Sequence, residues 1–318
     1  MLTLDSETIV NVEKLRFTYG EGRYALDGVS FTIRKGEVFG FLGRNCAGKT
    51  TTIKVLTTLV RPTEGIVQVL GMDVRHGGKG LRSRIGVVLQ EESFDFTTVE
   101  KSLDIYGTMW GIPKKERKTR TEELLSFFEL MDVRKKRMWD LSGGQKRRVQ
   151  VAREFMHDMD LLFLDEPTVG LDTIARRKIL DMVRQRTKGG LTVFFTTHNL
   201  EEADYLCDRI AIIDNGKILA NDTVAALKRN YSGVKTVEAS FSQDGALVEK
   251  MLAGIPNVKV EKPETARDPF KLIGPEPEET VRSIIDLASK NGLRLEWLNI
   301  HPVTLEEVFL KTVGAAGS

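Results

Sequence analysis

The stretch Val38–Thr50, VFGFLGRNCAGKT, gives the first indication of the fold of this 318-residue chain. Within it, Gly43–Thr50 fits the pattern G-x-x-x-x-G-K-[ST]. The apolar run Val38–Leu42 in front of the pattern predicts a buried strand, and Thr50–Leu59 behind it predicts a helix. Between a strand and a helix, backbone N–H groups and the helix N-terminus converge on one spot that favours an anionic phosphate. The stretch therefore predicts a phosphate-binding loop, and a glycine-rich turn that binds no ligand is the alternative.

A second apolar run ends in two adjacent carboxylates. Leu161–Leu164 predicts a buried strand, and Asp165 and Glu166 follow it directly. At the carboxyl end of such a strand, Asp165 is placed to hold Mg²⁺, directly or through water. Glu166 suits a general base that polarises an attacking water. Adjacent acids are also common on loops, so this pair indicates a site only together with the phosphate loop.

A third motif, LSGGQ at Leu141–Gln145, is followed by three basic residues. Ser142 suits a helix N-cap, and Gly143 and Gly144 allow backbone amides to approach a phosphate closely. With this motif the chain resembles the ABC ATPase family, whose signature is LSGGQ. The resemblance implies that the signature, including Gln145, faces the γ-phosphate held by the other cassette of a dimer. A capped helix start that contacts no ligand is the alternative.

The resemblance implies roles for further positions. Tyr19 matches the aromatic residue that stacks on adenine. Gln90 matches the glutamine that contacts Mg²⁺ and senses the membrane subunit, and Asp172 matches the aspartate that organises the dimer interface. His198 matches the histidine that holds the γ-phosphate. The implied catalytic set is Glu166, His198 and Gln90.

The same resemblance implies Mg-ATP as the ligand of the phosphate loop. Lys49 would reach the β- and γ-phosphates, and Thr51 would bond the α-phosphate region. The Thr50 hydroxyl would ligate Mg²⁺ together with Gln90 and Asp165. The expected nucleotide contacts in this loop are Gly43, Arg44, Asn45, Cys46, Ala47, Gly48, Lys49, Thr50 and Thr51.

The phosphate loop departs from the family's usual GPNGAGKT at two positions. Arg44 replaces a proline, and Cys46 replaces a glycine. A glycine at such a place often serves a left-handed backbone, where a side chain costs about 1 kcal/mol or more. Either the loop accepts the thiol, or the cassette binds nucleotide poorly. Acceptance is favoured because Lys49, Thr50 and Glu166 are intact.

Strand-like runs alternate with helical stretches through the first two-thirds of the chain, which predicts an α/β fold with a helix-flanked sheet. We expect residues 1–230 to form the P-loop ABC ATPase nucleotide-binding domain, ending in a helix at Asp222–Asn230. Strand signals disappear over Val99–His157, so a helical subdomain is expected at about 98–157. Residues 231–318 contain two βαβ-like halves, which predict a small split-βαβ, ferredoxin-like C-terminal accessory domain.

The composition is that of an ordinary globular protein, with 41% hydrophobic and 29% charged residues. The net charge of +2 gives no indication of a nucleic-acid binder. No run approaches the roughly 20 apolar residues of a membrane span, and the first ten residues lack a basic apolar leader. Two cysteines, Cys46 and Cys207, do not make a disulfide framework. We therefore expect a peripheral protein on the cytoplasmic face of the membrane, held by a separate membrane-spanning partner.

Two stretches, Leu206–Asp214 and Glu306–Leu310, resemble exporter-type cassettes of the drug- and antibiotic-efflux subgroup. The predicted function is the ATP-hydrolysing subunit of an ABC exporter, working as a head-to-tail homodimer or paired with a related chain. The alternatives are a soluble, non-transport ABC ATPase acting on nucleic acid or ribosomes, and a nucleotide-binding regulatory subunit with weak turnover. Some of the aromatic residues after Gln90 are expected to line a groove that receives a helix of the membrane subunit: Phe94, Phe96, Tyr106 and Trp110. For Tyr106 and Trp110 the alternative is a place in the core of the helical subdomain.

Overall fold

The computed structural model describes residues 7–20, 22–91, 96–230, 235–242, 245–263, 265, 268–301 and 303–316. The chain forms two compact units, Met1–Val224 and Ala225–Ser318. The strands of the first unit are β1 (Thr8–Phe17), β2 (Leu26–Arg34), β3 (Val38–Leu42), β4 (Glu64–Val69), β5 (Met72–Asp73), β6 (Ile85–Val88), β7 (Leu161–Asp165), β8 (Thr192–Thr197), β9 (Arg209–Asp214) and β10 (Lys217–Thr223). Its helices are α1 (Lys49–Leu56), α2 (Gly78–Arg82), α3 (Val99–Met109), α4 (Lys114–Phe127), α5 (Gly143–Glu154), α6 (Thr173–Thr187) and α7 (Leu200–Leu206).

A six-stranded sheet carries the predicted site. Its strand order is β10-β9-β3-β8-β7-β6, and all neighbours are parallel except β10, which is antiparallel to β9. Every residue of β3, β7 and β8 is buried, as expected for parallel strands covered on both faces. Because these three strands are neighbours and run in one direction, their carboxyl ends bring the residues that follow them to the same edge of the sheet.

A second sheet, with strand order β2-β1-β4-β5, is antiparallel throughout. The sequence predicted one helix-flanked sheet for all of these strands, and that expectation is corrected here. In β2 buried positions alternate with more exposed ones, so only one face of this sheet is covered. Phe31 on that face stacks on Phe39 of β3 with ring centroids 5.3 Å apart. The two sheets therefore share a core that contains these aromatic rings.

The predicted helix Thr50–Leu59 is shorter than expected. In the structure α1 ends at Leu56, and Thr58 has a φ of +65°, which cannot continue a right-handed helix. The helix predicted at Asp222–Asn230 is also corrected, because Asp222 and Thr223 pair with β9 as the last residues of β10. Helix α8 spans Val224–Asn230.

The second unit contains α9 (Gly245–Leu252), α10 (Pro277–Asn291) and α11 (Leu305–Ala316), together with β11 (Lys235–Phe241), β12 (Lys259–Glu261), β13 (Phe270–Gly274) and β14 (Leu295–His301). The strands form an antiparallel sheet in the order β12-β13-β11-β14. Its β-α-β-β-α-β connectivity is the predicted split-βαβ arrangement, so the fold prediction is confirmed. Apolar residues of α9 and α10 pack on the sheet around Val237 and Leu272. Among the described residues, no helix combines the length and apolar character needed to cross a bilayer.

Candidate active site

The phosphate loop connects β3 to α1. Gly48 is the N-cap of α1 and has a φ of +111°. A Cβ at this position would lie 2.7 Å from the side chain of Leu26 and 2.9 Å from the carbonyl oxygen of Ala25. Only glycine satisfies both the backbone conformation and this close approach, so the second glycine of the motif is required for the shape of the loop.

Cys46 also has a left-handed backbone, with a φ of +63°. Its side chain is exposed. For a residue with a Cβ, this conformation costs roughly 1–2 kcal/mol relative to a right-handed one. The position therefore has the geometry that favours a glycine, while the chain carries a thiol there.

Lys49, the first residue of α1, is buried and reaches back over the loop. Its Nζ donates hydrogen bonds to the carbonyl oxygens of Gly43, at 2.8 Å, and Arg44, at 3.0 Å. The same Nζ lies 3.0 Å from Oε1 of Glu166. The side chain of Lys49 is 5% exposed and that of Glu166 is 8% exposed, so this ion pair lies inside the protein.

Glu166 follows β7 with a φ of +44°, a second strained backbone position. Its backbone N–H points to the carbonyl and the hydroxyl oxygen of Thr196, each 3.1 Å away. Its Oε2 lies 3.0 Å from Nδ1 of His198. Residues after β3, β7 and β8 thus form one chain of contacts, Lys49–Glu166–His198.

Asp165, the last residue of β7, is fully buried. Among the described residues, only one of its two carboxylate oxygens has a hydrogen-bond partner. Its Oδ1 accepts a hydrogen bond of 2.7 Å from the Thr196 hydroxyl. Within the described part of the chain, its Oδ2 has no hydrogen-bond partner. Buried carboxylate oxygens are almost always paired, and oxygen ligands are those that Mg²⁺ prefers. The free Oδ2 therefore fits a divalent cation held beside the phosphate loop.

A cavity of about 480 Å³ lies over the phosphate loop, and Glu166 lines it. Tyr19 stands at its rim, with its hydroxyl 3.3 Å from the Thr51 hydroxyl. The residues predicted to contact nucleotide or metal that line the cavity are Tyr19, Asn45, Cys46, Gly48, Lys49, Thr50, Thr51 and Gln90. This volume is in the range typical of small-molecule sites.

The signature lies apart from this cavity. Ser142 caps α5, and its Oγ accepts from the Gln145 N–H while Gln145 Oε1 accepts from the Ser142 N–H. Asp172 caps α6 by accepting a 2.8 Å hydrogen bond from Ala175. None of the residues from Ser142 to Gln145, nor Asp172, is among the residues that line the cavity of the same chain. The structure thus gives the signature and Asp172 a helix-capping role that the sequence indicated only for Ser142.

A larger cavity, of about 770 Å³, opens at the other ends of the strands, beside Lys35, Arg84 and Asp160. Size alone therefore does not identify the site. The smaller cavity is lined by the phosphate-binding loop and by the buried Glu166, the residue next to Asp165 in the chain.

Two supporting residues were missed by the sequence reading. Thr196 joins Asp165 to Glu166, as described above. Glu202 on α7 is buried and accepts hydrogen bonds from the hydroxyls of Thr168, at 2.7 Å, and Thr197, at 2.8 Å. It thereby ties the segment after Glu166 to the residue before His198. The sequence signal is weak, because Glu202 stands in the acidic stretch EEAD that is typical of an exposed helix.

Comparison with known proteins agrees with this geometry. The family described as ABC transporter matches residues 26–169. The Nod factor export ATP-binding protein I of Ralstonia nicotianae is 37% identical over 317 residues, covering 98% of this chain and 95% of that protein. The daunorubicin resistance ATP-binding protein DrrA3 of Streptomyces coeruleorubidus is 35% identical and covers 97% of both chains. A solved dimeric ATP-binding cassette in a post-hydrolysis state, bound to ADP and Pi, is 25% identical with a TM-score of 0.62 over 68% of this chain and 99% of its own. The chain therefore belongs to the ABC transporter family, among its ATP-binding proteins.

Proposed function

We propose that this ATPase is the motor of an ABC exporter and drives transport through a separate membrane-spanning protein. The observation that carries the proposal is the Lys49–Glu166–His198 contact chain at the phosphate loop. Similarity over nearly the whole length to ATP-binding proteins named for Nod factor export and daunorubicin resistance supports the direction of transport. The same similarity supports a peripheral position on the cytoplasmic face of a membrane.

In this proposal the phosphates of ATP lie on the backbone amides of the loop and the N-terminus of α1. Lys49 binds the β- and γ-phosphates, and Tyr19 stacks on the adenine. Thr50, Asp165 and Gln90 hold Mg²⁺, for which the unpaired Oδ2 of Asp165 is the supporting observation. When bound, Mg²⁺ neutralises the negative charge of the phosphates.

Glu166 is proposed as the general base. Both of its carboxylate oxygens have a partner, Lys49 on one side and His198 on the other, so its orientation is well defined. A carboxylate held in this way orients a water for in-line attack and accepts its proton. His198 contacts the γ-phosphate from the neighbouring strand end. Since phosphoryl transfer leaves little covalent chemistry to the protein, positioning is the main contribution of these residues.

The complete site is proposed to need two copies of the chain. The signature residues Ser142–Gln145 and the exposed Asp172 do not line the cavity of their own chain. The start of α5 carries two glycines, and a Cβ built on Gly143 would meet nothing within 4 Å. In a head-to-tail homodimer these amides would face the γ-phosphate bound by the partner. A dimeric relative with ADP and Pi supports this arrangement.

An exposed aromatic pair is proposed as part of the contact with the membrane-spanning protein. Phe96 is 85% exposed and Trp139 is 48% exposed, and their ring centroids are 6.0 Å apart. Exposed aromatic side chains that lie next to one another are a feature of protein contacts, where aromatic residues are enriched. The other predicted aromatics are partly structural, because Trp110 stacks on His157 at 3.8 Å and Arg153 lies over the ring of Tyr106. The predicted contact at Phe94 lies outside the described residues.

The substitution Glu166→Gln tests the catalytic proposal. Steady-state ATP hydrolysis is expected to fall by at least ~10²-fold, the scale of a lost general base, while ATP binding is retained. The variant should also accumulate as an ATP-bound dimer, measurable by gel filtration with and without ATP. Glu201→Gln, which changes an exposed carboxylate on α7, is the control and should turn over like the parent. Unchanged hydrolysis in Glu166→Gln would refute the assignment.

The strained Cys46 supports one other reading, a regulatory subunit that binds nucleotide but turns over weakly. The same assay separates the two readings. An exporter motor hydrolyses ATP measurably in the parent protein, and only then can Glu166→Gln remove the activity. Co-purification with a membrane-spanning protein, lost in a Phe96→Ala/Trp139→Ala double variant, would support the exporter.

A further inference from the structure

We propose that Arg147 is a positioning residue that sets Glu166 and the segment before Gln90 relative to the signature helix. This inference deepens the proposed function and rests on the assignment of Glu166 as the general base. Arg147 lies on α5, two residues after Gln145, and is 5% exposed. It is thus a buried cation on the helix that begins at the signature.

The guanidinium of Arg147 donates to the backbone of the segment that contains the general base. Its Nη2 lies 3.0 Å from the carbonyl oxygen of Asp165 and 3.3 Å from that of Glu166. Its Nε donates to the carbonyl oxygen of Pro167 at 2.8 Å. Three consecutive carbonyl groups therefore turn towards one planar cation, a pattern that suits the fixed donor geometry of arginine.

This convergence accounts for the backbone of Glu166. A non-glycine residue at a φ of +44° persists only where the surrounding structure holds it. Hydrogen bonds from Arg147 to the carbonyl groups of residues 165, 166 and 167 hold the turn on one side. The hydrogen bonds of the Glu166 N–H with Thr196 hold it on the other side. Arg147 therefore helps to set the direction in which the Glu166 carboxylate points.

The third nitrogen of the guanidinium, Nη1, links Arg147 to the segment before Gln90, the glutamine proposed to contact Mg²⁺. Nη1 of Arg147 donates to the carbonyl oxygen of Leu89 at 2.7 Å and to Oε1 of Gln150 at 2.9 Å. Leu89 is the residue directly before Gln90. A shift of α5 would therefore move both the turn at Glu166 and the segment before Gln90.

The neighbouring arginine makes contacts of a different kind. Arg148 donates to the carbonyl oxygens of Phe128 and Glu129, in the region after α4. It thus contributes to the packing of the helical region and not to the segment of the general base. Arg148→Gln is for this reason a matched control for the loss of one arginine and its hydrogen bonds from α5.

The role of Arg147 predicts a specific kinetic pattern. In Arg147→Gln, kcat for ATP hydrolysis should fall about 10- to 100-fold, the scale of a small misplacement of a catalytic group. KM for ATP should stay within about threefold, since Arg147 is not among the described residues that line the cavity over the phosphate loop. Arg147→Lys should restore only part of kcat, because an ammonium group has three donors, whereas the guanidinium of Arg147 serves four backbone carbonyl oxygens. In Arg148→Gln, kcat should remain within about threefold of the parent value.

The experiment measures kcat and KM for Mg-ATP in the full-length parent, the Arg147 variants and Arg148→Gln, with thermal unfolding to confirm folding. Where Arg147→Gln does not fold, Arg147→Lys carries the test. A second readout is the double variant Glu166→Gln/Arg147→Lys, whose loss of kcat should be smaller than the product of the two single losses if Arg147 acts largely through Glu166. A folded Arg147 variant with normal kcat, or a double variant slowed by the full product of the two single losses, would overturn the inference. Normal turnover in Glu166→Gln would instead refute the proposed function, so the two failures are distinguishable.

Discussion

The strain at Cys46 leads to a prediction about stability. Its φ of +63° places the Cβ in a conformation that costs roughly 1–2 kcal/mol, and Cys46→Gly removes that cost. The added freedom of glycine in the unfolded chain offsets about 0.4–1 kcal/mol of the gain. A net stabilisation of about 1 kcal/mol raises Tm by about 2–4 °C in a unit of this size. ATP hydrolysis should be equal to that of the parent or faster.

Cys46→Ser is the matched control, because it keeps the Cβ and the backbone strain but removes the thiol. Its Tm should stay close to that of the parent, and only Cys46→Gly should gain stability. Differential scanning calorimetry of the three proteins makes the comparison. A Tm of Cys46→Gly at or below that of Cys46→Ser would show that the left-handed backbone is not strained.

The same pair of variants tests the accessibility of the thiol. Cys46 is exposed and lines the cavity over the phosphate loop, so a maleimide should inactivate the ATPase and bound ATP should protect it. Both variants should be insensitive. Cys207 should give no background reaction, since burial raises the pKa of its thiol and closes access to it. Equal inactivation of parent and Cys46→Ser would show that Cys46 is not the reactive group.

Two further predictions concern carboxyl groups shielded from water, those of the partly buried Glu154 and the buried Glu202. Burial raises the pKa of Glu154 to about 7, above its ordinary 4.5, so its contribution to stability is full below about pH 4.5 and is lost as the pH rises through 7. Glu154→Gln should therefore increase the free energy of unfolding by up to about 3 kcal/mol at pH 8 and by little at pH 4.5. Urea unfolding at the two pH values measures this difference, and an equal increase in the free energy of unfolding at both would contradict the prediction. Glu202→Gln should lower the free energy of unfolding by about 1–3 kcal/mol, because the two threonine hydroxyls lose a charged acceptor. In the same urea titration the exposed Glu201→Gln should change it by less than about 0.5 kcal/mol, and a similar loss in both variants would count against the buried network.

The parts of the fold that the sequence predicted best are its fully buried strands. The predicted bounds of Val38–Leu42 and Arg209–Asp214 agree with the structure. A short, uninterrupted apolar run between turn residues is typical of a buried strand. The separation of the strands into two sheets was missed. Which strands pair is decided by contacts between distant segments, such as that of Phe31 with Phe39, and a local pattern does not contain them.

In the candidate site, too, local motifs were predicted from the sequence, and contacts between distant residues were missed. Motifs with short, fixed spacing located most of the residues that line the cavity, because a phosphate loop needs its glycines and its lysine close together in the chain. Arg147 and Glu202 were not found. Arg147 contacts the carbonyl oxygens of Asp165 and Pro167, 18 and 20 residues away, and Glu202 contacts the hydroxyl of Thr168, 34 residues away. Such distant partners place no constraint on neighbouring residue types.

Three neighbouring parallel strands carry the groups that contact one another at the phosphate loop. Leu42 pairs with Thr197, and Thr196 pairs with Asp165, so the lateral spacing between these groups is that of a sheet ladder, about 4.8 Å per strand. Backbone hydrogen bonds maintain this spacing, and changes in side-chain packing elsewhere alter it little. At one temperature, partial unfolding by a denaturant or by a mild destabilising mutation should then reduce the number of working molecules while leaving the turnover of each remaining molecule unchanged. Loss of activity and unfolding of the sheet would accordingly follow one curve.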